Sequence, residues 1–108
     1  APAEFAAPNG ESFADVMARV SKTVARLSEH HTGRDIVAVA HGGSIRAALG
    51  HALGIAPNQA LSFTVDNLSI TRIDCFHGAD GRMDWCVIGV NLPPSIDAPH
   101  GVVFPPRR

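Results

Sequence analysis

A histidine followed by two glycines and a serine is the segment of this sequence best suited to chemistry. Residues 37–40 read Val-Ala-Val-Ala, and directly after them come His41, Gly42, Gly43 and Ser44. Glycines allow a ligand to approach the backbone closely, and free amides at the start of a helix attract anions. Ser44 could cap such a helix. The sequence therefore predicts that His41 and the amides of Gly42 and Gly43 surround a phosphate or a carboxylate.

The glycine pair is not one of the longer phosphate-binding motifs. No third glycine follows at the offset of a dinucleotide fingerprint, and the chain contains no Gly-Lys-Ser or Gly-Lys-Thr of a Walker loop. A single histidine after an apolar run is more often structural than catalytic. From these residues alone both interpretations of His41 stay open, and its place at the end of a strand is the argument for function.

Two helices, with a strand between them, would position His41. The first helix is predicted from six apolar residues at helical spacing, namely Phe13, Val16, Met17, Val20, Val24 and Leu27, which we expect to be buried. Residues 35–40 read Asp-Ile-Val-Ala-Val-Ala, a pattern typical of a strand buried on both faces of a parallel sheet. The second helix is predicted from Ile45, Ala48, Leu49, Ala52 and Leu53, with Gly54 ending it. Open α/β sheets bind ligands at the carboxyl ends of their strands, which is where His41 falls.

A β-hairpin is predicted after the second helix. Residues 57–62 suggest a short helix with a proline near its first position, and residues 68–76 and 85–90 read as strands around a turn-rich segment. Cys75 and Cys86 are eleven residues apart and could face each other across this hairpin, but we favour two reduced thiols. No Cys/His spacing typical of a metal site is present.

Length and composition describe one small globular domain. The chain has 108 residues, of which 45% are hydrophobic and 18% charged, and its formal net charge is −1. These values exclude intrinsic disorder, and they give no general electrostatic reason to bind nucleic acid or an anionic membrane surface. No apolar run approaches the roughly 18 residues that span a bilayer, and the first residues do not resemble a signal peptide, so we predict a cytoplasmic protein.

Four segments of the chain form a recognisable series. They read P-N-G-E-S-F-A-D-V-M-A-R, V-A-V-A-H-G-G-S-I-R-A-A-L-G, D-N-L-S-I-T-R-I-D and W-C-V-I-G-V-N. In this order and spacing they resemble the histidine phosphatase superfamily, also called phosphoglycerate mutase-like, over about residues 8–91. The resemblance implies an α/β fold, a three-layer α/β/α sandwich, and phosphoryl transfer through a phosphohistidine with no metal or other cofactor. It does not separate a mutase from the many phosphatases.

The resemblance implies specific roles for His41 and Gly42. His41 matches the family's second histidine, which surrounds the phosphoryl group together with arginines, and Gly42 matches a glycine whose amide helps to hold phosphate. The family's phosphorylated histidine lies in an Arg-His-Gly motif after its first strand, and no Arg-His-Gly occurs in these 108 residues. The stretch that carries the family's proton donor is also absent. We therefore expect residues 1–108 to be the C-terminal half of one domain.

Within that half-domain we expect three parts and open surfaces. Residues 1–10 would be an irregular lead-in, residues 11–91 the core, and residues 92–108 a proline-rich tail. The predicted central strand needs neighbours on both edges, and the hairpin supplies at most two strands. Unpaired edges and exposed apolar surface predict association, either with the missing N-terminal half or with further copies of the chain.

Four further residues each have two interpretations. Glu11 and Ser12 match a Gly-Glu-Ser at the start of the family's long helix: Ser12 with Asp15 resembles a capping box, which we favour, and support of the pocket from behind is the alternative. Arg46 lies one turn into the second helix and could face the site or form a surface ion pair. Asn67 precedes a strand that the family places near the pocket, so it is a turn residue or a substrate contact.

As part of a complete protein, the chain is expected to hydrolyse a small phosphorylated substrate, and residues 1–108 alone to be inactive. We place a phosphatase ahead of a phosphoglycerate mutase, because a mutase must hold a bisphosphate and the chain shows no extra cluster of basic residues. A different class of function is a non-catalytic anion-binding or regulatory module that lacks the nucleophile. A third interpretation is an unrelated α/β domain whose His-Gly-Gly is only a tight strand–helix connection.

Overall fold

Three helices and a β-hairpin make up the computed structural model, which describes residues 3–6, 8 and 10–94. In chain order the elements are α1 (Phe13–His30), α2 (Gly42–Leu53), α3 (Pro57–Ala60), β1 (Ile70–His77) and β2 (Met83–Leu92). The predicted helices and hairpin are thus confirmed, whereas residues 95–108 of the predicted tail lie outside the described residues. No helix in the described part of the chain is long and apolar enough to cross a membrane.

Helix α1 begins at a capping box. The Ser12 hydroxyl accepts a hydrogen bond from the Asp15 amide at 3.1 Å, and an Asp15 carboxylate oxygen accepts one from the Ser12 amide at 3.1 Å. The predicted cap is therefore confirmed, and it places a carboxylate at the positive end of the helix. At the other end, the His31 amide donates to the Leu27 carbonyl at 3.0 Å.

The apolar face of α1 is only half-buried. The six side chains predicted as core, from Phe13 to Leu27, all keep intermediate exposure, and no residue of α1 is fully buried. The prediction of six buried side chains is wrong, because α2, with a small contribution from α3, provides the packing of α1 within the described residues. One side of the helix remains open.

Residues 36–40, predicted as the central strand, carry no regular secondary structure. Ile36 is 45% exposed, Val37 90% and Val39 100%. A strand requires a neighbour to complete its hydrogen bonds, and no hydrogen bond of residues 36–40 is found among the described residues. The prediction of a buried strand is therefore wrong for the described part of the chain, which contains one sheet of two strands.

The fully buried core is small and lies where the three helices meet. Its apolar members among the described residues are Ala3, Ala47, Leu49 and Ala60. Gly50 allows the close approach: a Cβ at this position would lie 2.6 Å from the Met17 methyl carbon and 3.0 Å from the Ala60 Cβ. The predicted apolar face of α2 is partly wrong, because Leu53 is 46% exposed while Ala47 and Gly50 are buried. Gly54 ends α2 as predicted, in the left-handed conformation at φ 64°.

The hairpin packs on the other side of α2. Strands β1 and β2 are antiparallel, and both contact α2. Cys75 pairs with Trp85, and Asp74 pairs with Cys86. Since neighbouring residues of a strand point to opposite faces, the two cysteines lie on opposite faces of the hairpin, and both are free thiols as we favoured.

The lead-in, which is predicted to be irregular, is held in place at Ala3. Ala3 is fully buried, its amide donates to the Asn58 side-chain oxygen at 2.8 Å, and its carbonyl accepts from the Ala14 amide at 2.9 Å. This residue therefore connects the start of the chain to α1 and α3. Helices and one two-stranded antiparallel sheet constitute the described fold, and the predicted three-layer sandwich stays a prediction.

Candidate functional site

His41 is the residue from which helix α2 begins. Its backbone is extended (φ −111°, ψ 169°), and its carbonyl accepts the first intrahelical hydrogen bond, from the Ile45 amide at 3.0 Å. The predicted cap by Ser44 is wrong, because both glycines are already helical. Ser44 therefore lies inside the first turn, whereas a capping residue precedes the first helical residue. The imidazole of His41 makes no capping hydrogen bond, and the residue is exposed.

The first turn of α2 presents backbone amides for which no acceptor is found in the described part of the chain. The first amides of a helix lack an intrahelical partner, and in α2 the first amide bonded inside the helix is that of Ile45. The amides of Gly42, Gly43 and Ser44 precede it. No acidic side chain lies in this first turn, so the positive end of the helix dipole is uncompensated within α2. This end of the helix has the chemistry of an anion site.

Arg46 brings a cation to the same end of α2. Residues four apart lie on one face of a helix, and Arg46 lies four residues after Gly42. A Cβ on Gly42 would lie 2.9 Å from the Nη1 atom of Arg46, and the Nε–H of Arg46 donates to the Phe63 carbonyl at 2.7 Å. The structure therefore places Arg46 beside Gly42, and its partner is a backbone carbonyl instead of the surface acid that we had considered.

The loop between α3 and β1 forms a wall beside this turn. The Val65 carbonyl lies 3.7 Å from the Cβ position of Gly42. One residue further, the Asp66 amide donates to the Asn91 side-chain oxygen at 2.8 Å, and the Asn91 side-chain nitrogen donates to the Asp66 carboxylate at 3.1 Å. Asn67 follows, exposed, in an open groove lined by Asp66, Asn67, Leu68, Ser69, Asn91, Pro93 and Pro94.

Glu11 and Ser12 make local contacts. The Glu11 carboxylate accepts two hydrogen bonds from the Arg19 guanidinium, both at 3.2 Å, and Ser12 belongs to the capping box of α1. Within the described residues their hydrogen bonds thus stay inside α1 and its cap. Among the residues considered from the sequence, the structure brings together His41, Gly42, Gly43 and Arg46.

Sequence reasoning missed the carbonyls of Phe63 and Val65. A backbone carbonyl is present in every residue, so the amino-acid types at these two positions carry no signal that it accepts from Arg46 or faces Gly42. Only the spacing from Gly42 to Arg46 contained part of the answer, because it places the two residues on one face of α2.

Comparisons with known proteins give one family and one solved fold. A family model described as histidine phosphatase superfamily (branch 1) matches residues 1–86. A solved structure of a mutant phosphoserine phosphatase from Entamoeba histolytica, in complex with phosphoserine, superposes with a TM-score of 0.65 at 23% sequence identity. The match covers 77% of this chain and 40% of that phosphatase. At this identity it shows the fold alone, and the chain spans less than half the length of that phosphatase. No curated protein matches the chain.

Proposed function

Because this chain belongs to the histidine phosphatase superfamily, we propose that the start of α2 is part of the phosphate site of a phosphomonoesterase. The observation that carries the proposal is the first turn of α2, where the amides of Gly42, Gly43 and Ser44 have no intrahelical acceptor, Arg46 lies beside Gly42, and no acidic side chain lies in that turn. Amides without acceptors at the positive end of a helix dipole match the charge of a phosphoryl group.

His41 would act as a charge stabiliser in this site. Phosphoryl transfer depends mainly on positioning and on electrostatic stabilisation of the phosphoryl oxygens, and an imidazole beside free amides would contribute to both. The exposed position of His41 at the N-cap allows its ring to reach a ligand held by the first turn of α2. A small phosphorylated substrate would bind without a metal or another cofactor.

The nucleophile would come from polypeptide outside these residues, since no Arg-His-Gly is present in the 108 residues. Its imidazole nitrogen would attack phosphorus while the ester P–O bond breaks, and an acid would protonate the leaving alkoxide. Water would then attack the phosphohistidine and release inorganic phosphate. Two smaller barriers replace one large one. Residues 1–108 alone would bind phosphate and would not turn over a phosphomonoester.

The N-terminal half of the same domain is the partner that we propose for residues 36–40. Every amide and carbonyl of this segment lacks a partner in the described part of the chain, and Val37 and Val39 expose apolar side chains beside them. Neighbouring strands would satisfy both needs at once. The three-layer α/β/α sandwich would be completed in this way, with residues 36–40 as its central strand and His41 at its carboxyl end.

A non-catalytic anion-binding module is the second candidate. The absence of an Arg-His-Gly from the sequence favours it, and the same helix end would then bind an anion without chemistry. The two candidates differ in turnover and not in phosphate binding.

The experiment uses the longest polypeptide read in frame with residues 1–108, assayed on an aryl phosphate and on phosphoserine. His41→Ala is expected to lower kcat by about a hundredfold, the loss typical of one group that stabilises transition-state charge. His77→Ala, at an exposed histidine that ends β1, serves as the matched control and should leave the rate unchanged. Full activity of His41→Ala would disprove its role. Phosphate binding without turnover in the wild type would establish the binding module.

A further inference from the structure

The position of Arg46 follows from helix geometry. Side chains of a helix lean toward its N-terminus, and residues four apart lie one above the other. The Arg46 side chain therefore runs along α2 toward Gly42, and its Nη1 atom lies 2.9 Å from where a Cβ of residue 42 would be. Its Nε–H donates to the Phe63 carbonyl at 2.7 Å, and the residue is half-buried. The guanidinium is thus lodged between the first turn of α2 and the loop after α3.

This location is unfavourable for a cation on electrostatic grounds. The start of a helix carries partial positive charge, so a positive side chain is repelled there. The first turn of α2 contains no acid, and no carboxylate forms an ion pair with Arg46 in the described part of the chain. The hydrogen bond to the Phe63 carbonyl holds the guanidinium in place despite this repulsion, and an anion at the helix end would remove the conflict.

The loop that Arg46 holds is fastened at its other end by β2. Asn91 accepts from the Asp66 amide at 2.8 Å and donates to the Asp66 carboxylate at 3.1 Å. Between these two attachments, at Phe63 and Asp66, lies Val65, whose carbonyl is 3.7 Å from the Cβ position of Gly42. Loss of the Arg46 bond would free the Phe63 carbonyl, while the Phe63 amide stays bonded to the Ala60 carbonyl at 3.3 Å and Asp66 stays attached to Asn91.

We propose that Arg46 is a positioning residue of the phosphate site. It acts through its Nε–H bond to the Phe63 carbonyl, which keeps residues 63–66 against Gly42 and so fixes the wall beside the first-turn amides. The inference rests on the proposed function and deepens it. Its specific content is that the donor at Nε matters more to the reaction than the positive charge of the side chain.

Two substitutions separate the donor from the charge. In Arg46→Gln the side-chain nitrogen is the same number of bonds from Cβ as Nε of arginine, so a donor to Phe63 is kept and the charge is lost. In Arg46→Lys the charge is kept, and a methylene group replaces Nε. Arg82→Gln is the matched control, because Arg82 is an exposed arginine of the hairpin paired with Asp84.

The kinetics of the longest in-frame polypeptide test the proposal, with phosphoserine and an aryl phosphate as substrates. Arg46→Lys is expected to lower kcat by about tenfold with a smaller change in KM, since misplacement reduces transition-state stabilisation. Arg46→Gln should lower kcat clearly less than Arg46→Lys does, and Arg82→Gln should leave kcat unchanged. The melting temperature of each variant is measured in parallel, and the order of kcat values must persist among variants that melt alike.

A second measurement uses the 108-residue chain and does not need activity. Arg46→Lys should shift the backbone amide NMR signals of Val65 and Asp66, and Arg46→Gln should leave them close to wild type. The proposal would be overturned if Arg46→Lys and Arg46→Gln lowered kcat equally, or if Arg46→Lys had the higher kcat. A higher kcat for Arg46→Lys would show that Arg46 contacts the substrate through its charge. If the wild-type polypeptide showed no turnover, the proposed function would be overturned instead. The proposed role of Arg46 in that function would then be overturned as well.

Discussion

His51 of α2 and Trp85 of β2 meet edge to face, with ring centroids 5.1 Å apart and ring planes at 74°. This pair joins the helix that begins at His41 to the hairpin. The Nε2 atom of His51 is buried and has no hydrogen-bond partner among the described residues. The contact therefore combines a favourable aromatic pair with an unsatisfied polar atom.

Substitutions at His51 should separate these two contributions. His51→Ala removes the ring pair, and we expect a loss of about 1 kcal/mol in the free energy of unfolding. His51→Phe keeps an aromatic ring and removes the unsatisfied nitrogen, so its stability should equal or exceed that of the wild type. Urea unfolding followed by the fluorescence of Trp85, the only tryptophan of the chain, measures both. A His51→Phe protein as unstable as His51→Ala would show that the aromatic ring contact does not account for the stabilising contribution of residue 51.

The two glycines of the first turn should respond differently to alanine. A Cβ at residue 42 would lie 2.9 Å from the Arg46 Nη1 atom, whereas a Cβ at residue 43 would have nothing within 4 Å. Gly43→Ala should raise the free energy of unfolding, because alanine favours a helix more than glycine does. The free energy of unfolding of Gly42→Ala should be about 1 kcal/mol lower than that of Gly43→Ala.

The same difference can be traced to Arg46 with a double-mutant cycle. In an Arg46→Ala background the atom at 2.9 Å is gone, and the two alanine substitutions should have the same effect. Denaturant unfolding of the four variants and their parents provides the numbers. A difference between positions 42 and 43 that persists without Arg46 would show that another neighbour restricts Gly42.

The two thiols should differ in reactivity. Burial, and secondarily the Asp84 carboxylate, raises the pKa of Cys75 above its ordinary value of 9.0, while Cys86 is exposed. At pH 8 Cys75 therefore has less thiolate than an ordinary cysteine, and because it is also less accessible it should be alkylated by iodoacetamide more slowly than the exposed Cys86. Asp84→Asn removes the smaller cause and should raise the Cys75 rate slightly. Peptide mass spectrometry over time distinguishes the two sites, and equal rates would contradict the burial of Cys75.

The same shift predicts a direction for stability at alkaline pH. Because the folded state favours the protonated thiol of Cys75, its contribution is fully present below pH 9.0 and is lost as the pH rises through the higher folded pKa. Cys75→Ser should weaken this alkaline loss, since serine does not titrate there. Unfolding midpoints between pH 8 and pH 11 give the comparison, and an unchanged slope in Cys75→Ser would rule out this origin.

Residues 36–40 should make the 108-residue chain self-associate. Val37 is 90% exposed and Val39 100% exposed, beside backbone groups for which the described residues provide no partner. Val39→Lys adds a charge that opposes edge pairing and should increase the monomer fraction in sedimentation velocity. Leu68→Lys alters another exposed apolar residue, 87% exposed in the groove, and should leave the monomer fraction unchanged. A wild-type chain that is fully monomeric at high concentration would refute the expectation.

Local pattern was sufficient for the elements whose partners are close in sequence. The spacing of apolar residues located α1 and α2, Ser12 with Asp15 located the cap, and turn-forming residues located the hairpin, because each of these depends on neighbours a few positions away. Residues 36–40 show the limit of this reasoning. Their composition is that of a buried strand, but a strand exists only when a second segment pairs with it, and no pattern within the segment reports whether that partner is present.

For the candidate site, the sequence suggests residues, whose roles stay predictions, but not their contacts. His41, Gly42 and Gly43 are suggested by their types and by their place after a predicted strand. The capping role of Ser44 failed because both glycines are helical although glycine is a poor helix former, so the sequence left the first helical residue undetermined. The Arg46 bond joins a side chain to a main-chain carbonyl seventeen positions away, at Phe63. The identity of the accepting residue has no bearing on that bond.

The crossing at Gly50 makes the geometry of the phosphate end sensitive to a distant residue. Gly42 precedes Gly50 by eight positions, or about 12 Å along a helix axis. If a side chain at residue 50 pushed α2 away from Met17 by a tilt of about 5°, a rigid helix would carry its first turn sideways by about 1 Å. Displacements of that size can change a reaction rate by about a hundredfold. At the proposed phosphate site, residue 50 would therefore alter the reaction rate through the tilt of α2, without contacting the ligand or the residues proposed to bind it.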